Sequence, residues 1–139
     1  MEPLNVAIAL CILFLGPEVE RVRRGDWNAI IEGELAMLDG THSVFPCGIP
    51  DAEIEDRCLR HDIHPTGPMP GKGGTAPAGA ALALENAVLG EWVEMTGVLA
   101  AQGVKADRRA LRLVPAGLEW TFEEDVLRLT FTLPPGAYA

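Results

Sequence analysis

Cys58-x2-His61-x2-His64, with Cys47 and His42 upstream, sets thiols and imidazoles at short spacings. Tetrahedral zinc takes such ligands from a compact turn. Here no second CxxC or HxxxH pair completes the set. The same residues read equally as a histidine near a helix end and a buried thiol, and no metal is expected. GPMPGK, residues 67–72, is one residue short of a nucleotide-binding phosphate loop and is followed by Gly73 rather than Ser or Thr. A weaker possibility survives. A glycine-rich loop can bring backbone N–H groups and Lys72 up to a phosphate, including an RNA phosphate. A mobile surface loop fits the same residue types.

Two further groups could carry chemistry. MLDGTH (37–42) holds Asp39 in a tight turn, a setting in which several nucleoside-modifying enzymes use an aspartate; Asp-Gly is also a common hairpin turn, and that reading dominates. Lys105, Arg108, Arg109 and Arg112 form the densest basic cluster. They could contact phosphates or complement a helix end. Against them stands the whole chain, with 11 basic and 20 acidic residues and a net charge of −9. That balance excludes coating of nucleic acid by bulk electrostatics, though not a local basic patch.

The elements that must position these groups are partly visible. At 139 residues, 48% hydrophobic and 22% charged, the chain is long enough for one domain with a core. Cys11, Cys47 and Cys58 are odd in number and lack a CxxC pair, which fits a reducing, cytoplasmic setting better than a disulfide framework. The apolar run Val6–Leu15 is too short to span a bilayer, which takes about 20 residues. As a secretion signal it lacks a basic front end and a small-residue cleavage site. It reads as a buried helix over about 4–15, broken by Gly16-Pro17 and restarted as PEVERVRRG.

ELAML (34–38) and HSVFPC (42–47) predict a hairpin about Asp39-Gly40-Thr41. Residues 50–61 predict a short helix, and HDIHPTGPMPGKGG (61–74) a loop. From Pro77 to Gly103 the pattern is helical, with Leu84, Val88, Trp92, Met95 and Leu99 on one face and bends allowed at Gly90 and Gly97. KADRRALRLV (105–114) turns from a basic cap into a strand. LEWTF (118–122) and VLRLTFTL (126–133) alternate as a second hairpin. Its apolar face and unpaired edge predict self-association. The sum is an α+β domain of mixed helices and antiparallel hairpins.

RVRRGDW, GELAMLDGTHSVF, HDIHPTGPMPGKG, RRALRL and LRLTFTLPPGAYA, in this order and spacing, resemble the tRNA pseudouridine synthase D family from about Arg21 to Ala139. The resemblance implies isomerisation of a uridine in tRNA, at uridine 13, with no cofactor and no metal. It implies a catalytic α/β domain interrupted by an inserted domain, with tRNA gripped between them. Residues 1–113 would then be the inserted domain, its first 20 residues matching poorly, and 114–139 strands returning to the catalytic domain as a partial sheet edge. The family's nucleophilic aspartate sits in a glycine-leucine-lysine-aspartate segment that this sequence lacks, so no catalytic residue is expected here. Asp39 does not hold that role. The family's asparagine- and phenylalanine-rich substrate motif is missing too, and its stretch beyond the final Tyr-Ala is not present. The chain thus reads as a copy that starts late and ends early. One position carries over: Tyr138, in the Gly-Ala-Tyr-Ala motif, is implied to stack on the target base. Lys72, Arg108 and Arg109 are the expected RNA contacts. A non-catalytic RNA-binding or orphan α+β module is the other reading.

Overall fold

The computed structural model of the chain describes the backbone of residues 3–135 and the side chains of residue 9 and of 13–135. A first helix, α1, runs Pro3–Arg24 without a break. The expected interruption at Gly16-Pro17 does not occur. An interior proline costs a helix about 3 kcal/mol through a lost N–H and a ring clash. Packing outweighs it, because Ala9, Leu13, Pro17 and Arg21 recur every four residues and all four are buried. Arg21 then ties the last turn down, donating to Asp26, Glu34 and the Ala29 carbonyl.

Three antiparallel strands follow, β1 (Leu35–Leu38), β2 (Val44–Pro46) and β3 (Ile63–His64), in the order β2-β1-β3. Leu35 faces Pro46 and Met37 faces both Val44 and His64, so the hairpin expected about Asp39-Gly40 forms. Gly40 takes the turn at a φ of 70°, a conformation that glycine adopts without strain. Between β2 and β3 lies α2 (Ala52–Leu59), capped by the Asp51 carboxylate on the Ile54 amide. Cys58 of α2 packs with Ile30, Ala36 and Ile63 into one core cluster.

Residues 61–74 are the largest correction to the sequence reading. Ile63 to Pro68 is buried throughout, as β3 and as β4 (Thr66–Met69), not a mobile loop. Gly67 is needed because two side chains close on it. A Cβ on Gly67 would lie 2.9 Å from Leu111 Cδ2 and 3.0 Å from the Phe14 ring. β4 pairs antiparallel with β5 (Asp107–Ala110), Pro68 opposite Arg108 and Gly67 opposite Arg109.

The helical region expected from 77 to 103 is α3 (Gly79–Leu89), a 3-10 turn over Gly90–Trp92, and α4 (Val93–Ala101). The bend comes at Gly90; Gly97 sits inside α4 without breaking it. Leu84 and Leu99 are buried, and Leu99 joins Ala9 and Leu13 in a second core cluster. Trp92, displaced by the bend, stays 39% exposed. The last two strands, β6 (Ala116–Glu123) and β7 (Val126–Thr132), form a ribbon of their own that is exposed on both faces.

Candidate functional site

A cleft of about 750 Å³ opens between the β1–β2 turn and the base of the β6–β7 ribbon. Asp39, His42, His64 and Arg112 line it, as do Leu133, Pro134 and Pro135 at the end of the described chain. Asp39 is delivered by the hairpin turn, with its amide held by the Asp62 carbonyl. His64 is buried on β3, its Nε2 2.7 Å from Asp39 Oδ1.

Arg112 stands on the other side of His64. Its Nε donates to His64 Nδ1 at 2.9 Å. Its terminal nitrogens donate to the carbonyls of Asn28, Cys58 and Ile63 at 3.2, 2.6 and 2.8 Å. A guanidinium nitrogen only donates, so Nδ1 must accept and the imidazole proton must sit on Nε2, directed at Asp39. Arg112 is thus a clamp joining three chain segments, and the cleft wall it builds holds an oriented Asp39–His64 pair.

Two ion pairs meet at Thr66, two residues along the chain from His64. Glu34 is buried and accepts from Arg21 Nη1 at 3.0 Å, the Ile31 amide at 2.9 Å and the Thr66 amide at 3.0 Å. Burial pushes its carboxyl above the usual carboxylate range, with Arg21 and the two amides pulling the other way. Arg108 donates to Glu85 from both terminal nitrogens and through Nε to Thr66 Oγ1 at 2.7 Å.

The residues singled out from the sequence scatter. Arg108, expected to contact RNA, is only 7% exposed and its guanidinium is committed to Glu85 and Thr66. Arg109, next to it, is exposed, because neighbouring strand residues point to opposite faces. Lys72 is exposed and forms an isolated parallel bridge with Lys105. Tyr138 lies outside the described residues. The Cys58-His61-His64 spacing is used differently. The Cys58 thiol donates to the Asn28 carbonyl, both nitrogens of His64 are engaged, and exposed His61 stacks on His64 at 6.4 Å. Among the described residues no group of three or more His, Cys, Asp or Glu is placed to hold a metal. Burial pushes the Cys47 thiol up, away from the thiolate a nucleophile needs. Glu34, Glu85 and the clamp role of Arg112 escaped the sequence reading. Their only signal was an acid beside an apolar run and an arginine alternating with leucines.

Among the described residues no helix is long and apolar enough to cross a membrane. The family model described as tRNA pseudouridine synthase D (TruD) matches residues 18–139. The chain is similar to the tRNA pseudouridine synthase D of Xanthomonas axonopodis pv. citri, 43% identical over 122 residues that make up 86% of this chain and 33% of that protein. With the corresponding protein of Xanthomonas campestris pv. campestris (strain 8004) it shares 41% over 140 residues, or 98% of this chain and 38% of the relative. The chain therefore spans little more than a third of these relatives' length. In fold it is similar to a solved chain from Methanosarcina mazei assigned to tRNA pseudouridine synthase D, with a TM-score of 0.65 at 22% identity over 91% of this chain and 33% of that one. Buried HPTGP strands, a hairpin carrying Asp39 and a match over 18–139 thus lead to one conclusion: the chain belongs to the tRNA pseudouridine synthase D family.

Proposed function

We propose that this chain is a portion of a tRNA pseudouridine synthase and contributes one wall of the RNA cleft. The reaction converts uridine to pseudouridine, at uridine 13 by resemblance. The N1–C1′ bond breaks, a C5–C1′ bond forms, and the C5 proton leaves as N1 gains one. The two nucleosides are isomers, so the balance calls for no oxidant, reductant or group donor. Residues 1–113 serve as the inserted, RNA-gripping domain and 114–139 as strands of the catalytic domain. The nucleophilic aspartate comes from sequence that this chain does not contain. Work on tRNA places the activity in the cytoplasm.

The observation that carries this reading is the family match over 18–139 together with the cleft it encloses. Pro135 lines the cleft, and Tyr138 follows three residues later, within a covalent reach of about 11 Å. An enzyme that cuts and remakes a glycosidic bond must take the base out of the stack. An aromatic face replaces part of that stacking, about 1–3 kcal/mol per base. Lys72 and Arg109, the exposed members of the expected contact set, touch the tRNA backbone. The apolar face of β6–β7 meets a second copy when nothing else covers it.

A graft tests the proposal. Residues 18–139 replace the matching third of the Xanthomonas axonopodis relative, and pseudouridine is counted in tRNA. The graft should form it, and Tyr138→Ala within the graft should lower turnover about 10- to 100-fold. A folded graft that binds tRNA but makes no product would overturn the assignment and favour a non-catalytic RNA-binding module, the reading to which the missing aspartate segment points.

A further inference from the structure

The sequence contains two lysines, Lys72 and Lys105, and the fold sets them side by side. The Lys72 amide donates to the Val104 carbonyl at 2.7 Å, and the Ala106 amide donates to the Lys72 carbonyl at 3.2 Å. That is a parallel bridge, in which partners stand about 4.8 Å apart and project to one face. Both side chains are exposed.

Glycines enforce the approach. A Cβ on Gly71 would lie 2.5 Å from the Val104 carbonyl oxygen, and one on Gly74 would lie 2.8 Å from Ala106 Cβ. Gly73 and Gly74 also hold φ values of 75° and 88°. The GKGG segment thus presses Lys72 against the segment that carries Lys105, just ahead of β5.

Lysines on paired residues that share a face bring two like charges near each other, a repulsion that an anion between them would relieve. The chain has 20 acidic residues, yet among the described residues neither lysine makes an ion pair. Six of the arginines do pair with carboxylates or clamp His64, and Arg57 lies over the Phe45 ring. Exposure alternates along 105–110, so Arg109 points out on the same side as Lys105. Asp107 between them turns its Oδ1 back to the Arg108 amide at 2.8 Å.

From this geometry we infer that Lys72 and Lys105 together form a phosphate clamp, and that its occupant is an RNA phosphodiester. The identity of the polyanion rests on the proposed RNA-facing function; the clamp rests on the bridge. It reads backbone and carries no sequence information.

The whole chain, dimethylated with isotope-labelled formaldehyde, keeps its charge and gives two lysine signals besides the α-amine. These are followed by NMR against a tRNA transcript, a single-stranded oligoribonucleotide and inorganic phosphate at matched phosphate concentration. Both lysine signals should shift together with either RNA, return on adding salt, and ignore inorganic phosphate. In parallel, Lys72→Gln with Lys105→Gln should weaken RNA binding about tenfold and flatten the salt slope by about 1.4–1.8. Signals that stay still or move singly would overturn the clamp, as would a double variant with unchanged salt slope; signals that follow inorganic phosphate equally would overturn the RNA phosphodiester as its occupant. Should that variant fail to fold, the NMR arm decides. The clamp answers to any RNA backbone and the graft to pseudouridine, so either can fail without the other.

Discussion

Arg112 donates its Nε–H to Nδ1 of His64 across 2.9 Å, and this one bond decides where the imidazole proton sits. The consequence is testable by long-range proton–nitrogen correlation. The His64 imidazole should show Nε2 carrying the proton and Nδ1 accepting, with Nε2–H bound to Asp39. Arg112→Lys should abolish that signature and lose about 2–3 kcal/mol in urea unfolding. An ammonium cannot hold the Asn28, Cys58 and Ile63 carbonyls and His64 at once, and bonds to a charged donor are worth about 1.5–3 kcal/mol.

Adjacent arginines should separate cleanly. Arg108→Met leaves Glu85 buried without its cation and should cost about 3–5 kcal/mol. Arg109→Ala should change stability by no more than about 0.5 kcal/mol. It should instead weaken tRNA binding and reduce the salt slope by about 1. Urea melts and fluorescence anisotropy across salt concentrations check both, and a stable Arg108→Met variant would contradict the burial argument.

Arg21 and Glu34 make a pH prediction. A carboxyl held above its ordinary range keeps protons in the folded chain that the unfolded chain has released. Its contribution is therefore fully present below the ordinary carboxylate value and lost as pH rises through the folded one. Arg21→Met removes the cation that opposes the effect of burial and so widens that window. The variant should be about 3–5 kcal/mol less stable than the parent near pH 7 and recover part of the loss near pH 5. Urea unfolding at the two pH values measures it; a deficit that grows on acidification would contradict the sign.

The β6–β7 ribbon carries Leu118, Trp120, Phe122, Leu127, Leu129 and Phe131 on one face, each at least 39% exposed. Two-stranded ribbons are at best marginal alone. Light scattering of the purified chain should show mass rising with concentration. Leu129→Glu, placed opposite Trp120, should hold the chain monomeric with little change in stability. A monodisperse parent monomer would remove the basis for self-association.

What the sequence made legible was local. Alternation in 126–133, the Asp39-Gly40 turn and the Gly103 helix stop each depend on neighbours within a few residues, and each appears in the fold. What stayed hidden depends on partners far along the chain. Pro17 is tolerated because Leu13 and Arg21 are buried beside it. The 61–74 stretch looked unpackable, yet Phe14 of α1 and Leu111 just past β5 close on Gly67. Arg108 and Arg109 are alike in type, and a one-residue difference in register sends one to the core and the other to water. The cleft residues Asp39 and Arg112 were both noticed, but nothing in the order of residues said that His64 joins them.

The most direct measurement of the central claim is pseudouridine in tRNA incubated with this chain as the sole protein, quantified by nucleoside mass spectrometry. With the attacking carboxylate proposed to lie in sequence absent here, the uridines of the tRNA should remain unchanged. Product that appears with the parent chain and vanishes with Asp39→Ala would contradict that proposal and make the Asp39 beside His64 the nucleophile.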